Sequence, residues 1–499
     1  MQRIPLAQKG ILSKISHAFP VGLALLFPLF YIDYSKTQTV NLLLVVLGIG
    51  VAVFIVRLFV NREYYKSTFL PIFALILVAL LISDIINRGA FFLSNLRDLL
   101  YLGVVFFVIY PYDTNSPRTN ATLKLNVFSN IIVFSAFAGS AFSIFTFLFK
   151  INHSFPDANY YIGMNGNRLW GCVNPNTGSY IAVIAIFLSA VLVYINWGRR
   201  RSIYVSVVLI GALFDIIYLV LANSRASLLG GAVGVCVTAF LVAKRLVVEP
   251  SPIFKRIKFF KKREKEAIPF FDDAAPKKSA PKFIFPKALL SCLMIVALCV
   301  GFYFVSRPVL ALMPNLMIRK GSEATEKIKI ETPKQIFVDL GRIDVKENIS
   351  SDRFEIWDQG LNLWRENTLW GVTQRNAASN ISVWNNVKHM HNDYLNILVS
   401  GGIVTAVLFL AAFLLYIYKI FKYFLIYRDK KRFYILNSIV TGLIVAMAVD
   451  SFFECNIFLT VNSYNIIFFF LLSFQMYSIS KYEKKLKQQK KLVAQAKRA

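Results

Sequence analysis

Apolar residues come in runs of about twenty with almost no charge, each long enough to cross roughly 30 Å of hydrocarbon as a helix that satisfies its own backbone. Twelve such spans are predicted, near residues 18–32, 40–60, 69–86, 98–111, 127–149, 178–196, 203–222, 226–243, 288–306, 394–420, 434–450 and 461–479. The first and fourth are short. No small-residue cleavage site follows the first and another span does, so it is expected to remain as an anchor. The pattern changes in the long polar interval 307–392. In "DRFEIWDQGLNLWRE" the residues Phe354, Trp357, Leu361 and Trp364 fall on one helical stripe, which predicts an amphipathic helix able to lie against the membrane mouth or the bundle, a lid candidate. Gly371 in "NTLWGV" breaks it on the way to His391. The expected fold is an all-α polytopic membrane protein. Residues 1–306 carry helices one to nine, 307–392 form one large loop, 393–480 carry helices ten to twelve, and 481–499 form a basic tail.

Composition agrees with this layout: 56% of the 499 residues are hydrophobic and 15% aromatic, with mean hydropathy +0.55. Only 17% are charged, against about 25% in soluble domains. The net charge of +29 would point to nucleic acid in a soluble chain, but its placement gives a different answer, and no nucleic-acid partner is expected. Segment 244–288 has 13 basic and 5 acidic residues, and 481–499 has 8 and 1. The loop 307–392 is near balance, with 12 and 10. The positive-inside rule then predicts both termini and 244–288 in the cytoplasm and 307–392 on the outer side. The same basic segments attract anionic lipid headgroups. Of five cysteines, Cys236, Cys292 and Cys299 fall inside spans. Cys172 and Cys455 share the outer side, and whether they pair stays open. His389-Met-His391 is too little for a metal site, so no metal is expected.

A site must be built from groups that can meet, and four features face the outer side. The segment "MNGNRLWGCVNPNTGSY" carries Arg168, Asn174 and Asn176 in a turn rich in Gly, Pro and Asn. Here Asn176 could simply cap the next helix. The tight connection "LVLANSRASLLGG" places Arg225 at a helix start, where a forked guanidinium and free backbone N–H groups suit phosphate oxygens. Snorkelling toward water is the plain alternative for this arginine. The third feature is Arg353 in the loop helix. The fourth is His391, an imidazole at the mouth of the tenth span and a candidate general base near neutral pH, with a capping or packing histidine as its plain alternative.

The stretch "HNDYLNILVSGGIVT" resembles the H-N-x9-G-x-x-T signature of bacterial O-antigen ligases, with His391, Asn392, Gly402 and Thr405 at its fixed positions. Their wider superfamily includes O-antigen polymerases and protein O-oligosaccharyltransferases. "DRFEIWDQGLNLWRENTLWGV", "NRLWGCVNPNTGSY" and "SRAS" are similar to its other elements in the same order. The long basic segment 244–288 is a departure from that pattern. The resemblance implies a glycosyltransferase of the Gram-negative inner membrane that works on the periplasmic side. It would move a glycan from undecaprenyl diphosphate to a hydroxyl of lipid A-core oligosaccharide, inverting, without metal or cofactor. His391 would be catalytic, and Arg225, Arg168 and Arg353 would bind the diphosphate. Asn392, Asn174, Asn176, Gly402 and Thr405 would support them, with Gly402 letting helices approach closely. A polysaccharide polymerase or a protein O-oligosaccharyltransferase is the alternative within the superfamily. A polysaccharide or lipid transporter is the alternative outside it, and mid-membrane charges or inverted repeats would mark one.

Overall fold

Long apolar stretches that must satisfy their own backbone become helices, and helices dominate the computed structural model. It describes residues 18–19, 22, 36–60, 62–155, 160–165, 168–197, 201–248, 294, 301–306, 309–310, 313, 353–381, 390–425, 431–455, 457–459 and 462–496. The helices are α1 (Lys36–Val60), α2 (Leu70–Ile86), α3 (Phe92–Val104, continued by a π turn Val105–Ile109), α4 (Arg118–Leu148), α5 (Pro175–Asn196) and α6 (Ser202–Ala222). They continue with α7 (Arg225–Val248), α8 (Arg353–Glu366), α9 (Gln374–Asn380), α10 (Asp393–Leu425), α11 (Lys431–Asp450) and α12 (Ser463–Ala496).

Helices α1–α7 and α10–α12 fall on the second to eighth and tenth to twelfth predicted spans. Among the described residues, seven helices are long and apolar enough to cross a membrane by length and composition: α3 with its π turn, α4 to α7, α10 and α11. Most of the predicted spans at 18–32 and 288–306, the basic segment beyond Val248 and most of 307–352 lie outside the described residues. The fourth span begins at Phe92 rather than 98, and α12 runs without a break from the twelfth span into the basic tail. The tail's Lys, Gln, Glu and Ala residues are strong helix formers, so nothing in it ends the helix.

One region departs from the all-α expectation. A three-stranded antiparallel meander, β1 (His153–Phe155), β2 (Tyr160–Asn165) and β3 (Arg168–Trp170), reaches into the start of the segment 164–180 predicted as a Gly/Pro/Asn-rich turn. Aromatic and β-branched residues in "YYIGMN" suit a pleated strand. Arg168 pairs in register with Asn165, which places it beside the start of α5.

Small residues bring α7 and α11 together. A Cβ on Gly230 would lie 2.6 Å from the Ala446 carbonyl oxygen, and one on Gly234 would lie 2.5 Å from that of Gly442. Such backbone approach is how helices associate without a hydrophobic driving force. It sets the start of α7, with Arg225, against the end of α11, where Ser227 Oγ donates to Asp450 Oδ1 at 3.0 Å.

Gly402 has a different role from the close helix approach expected of it. Its φ of 68° and ψ of −174° interrupt α10, and the segment 367–373 fills the break. Ile403 N donates to Thr368 O (2.9 Å), Val372 N to Val399 O (2.9 Å) and Thr373 N to Ser400 O (3.0 Å). The donors and acceptors freed by the interruption are thus satisfied by loop backbone, as a break in a buried apolar helix requires. Gly371, at φ 69°, lies in the same contact, and a Cβ there would come 2.5 Å from Gly402 N. A Cβ on Gly402 would overlap the Leu369 carbonyl. Gly402→Ala is therefore expected to destabilise the protein by more than the ~1–3 kcal/mol of a left-handed non-glycine residue alone. Unchanged thermal melting of the purified variant would contradict this account of the break.

Candidate functional site

The site assembles at the end of the bundle where α5, α7 and α10 begin and α11 stops. The loop after α11 carries Glu454, whose side chain is 11% exposed. It receives three of the features that the sequence had left separate. Arg353 on α8 donates to Oε1 at 3.0 Å, Asn176 on α5 donates to the same oxygen at 2.8 Å, and His391 Nδ1 lies 3.0 Å from Oε2. Arg168 completes the chain by donating to Asn176 Oδ1, and its Nε donates to the Ala222 carbonyl at the end of α6 (3.0 Å). One carboxylate thus gathers a histidine, an arginine and an amide that in turn holds a second arginine.

Local sequence fixes each member. Asn174, not Asn176, caps α5 by accepting from Thr177 N at 3.0 Å. Asn174 is the residue before the helix and Asn176 lies within it, so the Asn176 amide is left to bridge Arg168 and Glu454. Asn392 is the N-cap of α10: its Oδ1 accepts from Tyr394 N and Leu395 N, both at 3.0 Å. Its own N–H donates to Cys455 Sγ at 3.2 Å. Asp393 N donates to Ser451 O (2.9 Å), and Ile457 N donates to Asp393 Oδ2 (2.8 Å). These bonds clamp the start of α10 to the loop holding Glu454.

His391 itself has φ 48°, a conformation that costs a non-glycine residue energy and recurs where function demands it. Helix α8 lies over this junction, as the amphipathic pattern predicted, but on a rotated face. Ile356 and Gly360 are buried and Phe354 is exposed, because Gly360 must seat the Met390 sulfur. Trp357 Nε1 donates to the Met390 carbonyl at 3.0 Å, pinning the residue before His391.

The geometry sets the proton placement. A carboxylate accepts, so in this pair the proton lies on His391 Nδ1, and Nε2 is the ring nitrogen left outside it. An imidazole held in this way can take a proton from a hydroxyl and share the resulting charge with the carboxylate. Arg225 is the exposed first residue of α7, next to the Ser227–Asp450 contact. Thr405 is fully buried one turn below the break in α10, and its Oγ1 has no hydrogen-bond partner. His389 lies outside the described residues.

Cys172 and Cys455 are not joined by a disulfide. Burial pushes Cys172 up to about 11 and Cys455 well above the usual thiol range, the latter reinforced by the Asp393 charge. Among the described residues, no group of three His, Cys, Asp or Glu could hold a metal ion. Beside the break, an open cleft is lined by Asp84, Asn95, Asp98, Thr373 and Gln374. Arg375 pairs with Asp98 there at 2.7 Å. Carboxylate acceptors and amide donors together suit a hydroxyl-rich ligand.

Sequence reasoning missed Glu454. The signal was present: an acid flanked by "DSFF" and "CNIF" at the end of an apolar span, where an ionisable group is rarely incidental.

No curated protein matches the chain. The family model described as O-Antigen ligase matches residues 210–410, a stretch holding Arg225, Arg353, His391, Asn392, Gly402 and Thr405 and ending before Glu454. That match, laid over a bundle whose one end gathers His391, Arg353 and Arg168, supports a likeness to the O-antigen ligase superfamily, whose members are glycosyltransferase-like enzymes.

Proposed function

We propose that this protein transfers a glycan from undecaprenyl diphosphate to a hydroxyl of lipid A-core oligosaccharide on the periplasmic face of the inner membrane. The observation that carries the reading is the His391–Glu454 pair (3.0 Å) set among arginines. The acceptor oxygen attacks the anomeric carbon while its proton passes to His391 Nε2. The bond from that carbon to the phosphate oxygen breaks, and the lipid diphosphate leaves with the electron pair. Attack opposite the leaving group inverts the anomeric centre.

Fixed cations aimed at the leaving diphosphate stabilise the charge that develops, worth more in a water-poor site than in bulk water. Arg225 takes this role because it is exposed at a helix start, whereas Arg168 and Arg353 also hold the frame around Glu454. Glu454 keeps the imidazole in the proton-accepting tautomer. The cleft at Asp84 and Asp98 offers polar lining for sugars of the bound glycan. Both termini are assigned to the cytoplasm by the basic residues.

The test is transfer by the purified, reconstituted full chain, supplied with polyprenyl-diphosphate-linked glycan and lipid A-core. Wild type is expected to yield the conjugate. Arg225→Lys is expected to fall at least tenfold despite its retained charge, because a point ammonium cannot form the bidentate fork on a diphosphate. Product built only on a second carrier-linked glycan would make the protein a polymerase. Full activity in Arg225→Lys would return that arginine to a snorkelling role.

A further inference from the structure

Asp84 is a buried carboxyl that the transfer step does not use. It lies near the end of α2 and lines the open cleft beside the break in α10, together with Asn95, Asp98, Thr373 and Gln374. It is 6% exposed, and among the described residues it has no hydrogen bond or ion pair. Two of its neighbours are committed to the frame. Asp98 pairs with Arg375 at 2.7 Å and with Arg97 at 3.3 Å. Asn95 donates to Thr373 Oγ1 at 3.0 Å, and its Oδ1 accepts from Arg375 N at 3.4 Å. Asp98 also lies near enough to Asp84 for the two carboxylates to repel.

The cleft is held by the same loop that fills the break. Ser83, next to Asp84, donates from Oγ to the Ser400 carbonyl at 3.1 Å, and Asn87 Nδ2 donates to the Gly371 carbonyl at 2.9 Å. These bonds tie the end of α2 to both sides of the contact. Ser400 lies seven residues along α10 from Asp393, roughly 10 Å at 1.5 Å per residue. A ligand group in the cleft is therefore not the one whose bond forms at His391.

Taking a carboxyl out of water without hydrogen bonds is costly, and a second carboxylate nearby adds repulsion. Replacing such a group by a neutral one of similar size is commonly neutral or stabilising, so the fold itself gains little from it. Hydroxyl donors from a ligand would supply the missing bonds, and those to a carboxylate are the stronger kind. A sugar fits the lining: neighbouring hydroxyls can donate to the Asp84 oxygens, and the Gln374 amide can both donate and accept. Leu80 and Leu102 offer apolar lining to the C–H face of the ring. A metal ion fits less well, since among the described residues no group of three His, Cys, Asp or Glu could hold one. We infer that this cleft binds one sugar of the carrier-linked glycan, remote from the bond being formed, with Asp84 accepting from its hydroxyls. Which glycan it is rests on the transfer reading above; that the ligand is a sugar rests on the cleft.

The experiment titrates the purified full chain in nanodiscs, followed by saturation-transfer NMR, with oligosaccharide released from the carrier by mild acid and so free of lipid and diphosphate. Core oligosaccharide is the second arm, and both are run with and without EDTA. Wild type is expected to bind the first probe saturably. Asp84→Asn keeps the size but turns one acceptor into an amide donor, and should weaken binding about fivefold, the worth of one hydrogen bond. Asp358→Asn, on an exposed acid of α8, should leave it unchanged. In reconstituted transfer, Asp84→Asn should lose more in KM for the carrier-linked glycan than in kcat, as a contact remote from the reacting bond does. Without glycan it should melt no lower than wild type, which separates a lost contact from a lost fold. Binding that Asp84→Asn weakens, in a protein that transfers nothing to lipid A-core, would keep the cleft and overturn the transfer reading instead. Binding of core oligosaccharide alone, sensitive to the same variant, would keep the sugar site and overturn the carrier-linked glycan as its source. Equal binding by wild type and Asp84→Asn, binding lost in EDTA, or no binding of either probe would overturn the site.

Discussion

Replacing Glu454 by alanine is expected to lower glycan transfer about 10²–10⁴-fold, the range lost when a positioned acid–base pair is broken. Its carboxylate accepts from Asn176, Arg353 and His391 at once, so removal frees the imidazole to turn and leaves Arg353 without that partner. Part of the loss would come from the frame, since breaking a nearly buried pair also destabilises the protein. Glu454→Gln separates the two effects. The amide keeps the size and one acceptor for Arg353 and Asn176, but it turns an NH₂ group toward His391 Nδ1. Nδ1 must then accept, the proton moves to Nε2, and the base is lost. The glutamine variant is therefore expected to melt nearer to wild type than alanine does, yet to transfer as poorly. The measurements are transfer rate at matched protein amount and melting temperature. A glutamine variant as active as wild type would remove the tautomer argument.

His391→Ala is expected to cost about as much, 10²–10⁴-fold. The backbone at this position has φ 48°, so alanine adds strain of its own. His391→Asn fits that conformation better and supplies no comparable base, so it should fold well and remain inactive. Asn392→Ala makes the contrast. It removes only a helix cap, worth roughly 1 kcal/mol, and should reduce stability more than it reduces the rate per folded molecule. Equal losses in rate per folded molecule for the His391 and Asn392 variants would show that the junction, not the imidazole, matters.

The helices were legible because span length and apolarity dictate them, and α10 and α11 fall where hydropathy puts them. Their ends were less so: polar first turns on α3 and helix-forming tail residues on α12 carry no hydropathy signal. Arg225 at a helix start was readable from the tight connection after Ala222. The meander at 153–170 was hidden by its glycines and asparagines, which read as turns although Tyr160, Tyr161 and Ile162 favour strand.

Gly402 was visible as a signature position, but its service could not be read from spacing. Only the loop backbone of Thr368 to Thr373 shows that the glycine breaks a helix so that a loop can complete it. Glu454 escaped for a related reason. It meets His391 across 63 residues, and a contact of that kind is settled by the packing of α11 and α7 on glycine rather than by any local pattern.

The most direct measurement is a lipopolysaccharide gel, beside a blot for the protein, from strains lacking the gene and carrying it again as wild type or His391→Ala. The account predicts no long-chain glycan on lipid A-core in the deletion strain, full restoration by wild type, and none by His391→Ala at equal protein level. Long-chain glycan on lipid A-core in the deletion strain would contradict the transfer assignment, and its restoration by His391→Ala would contradict the site.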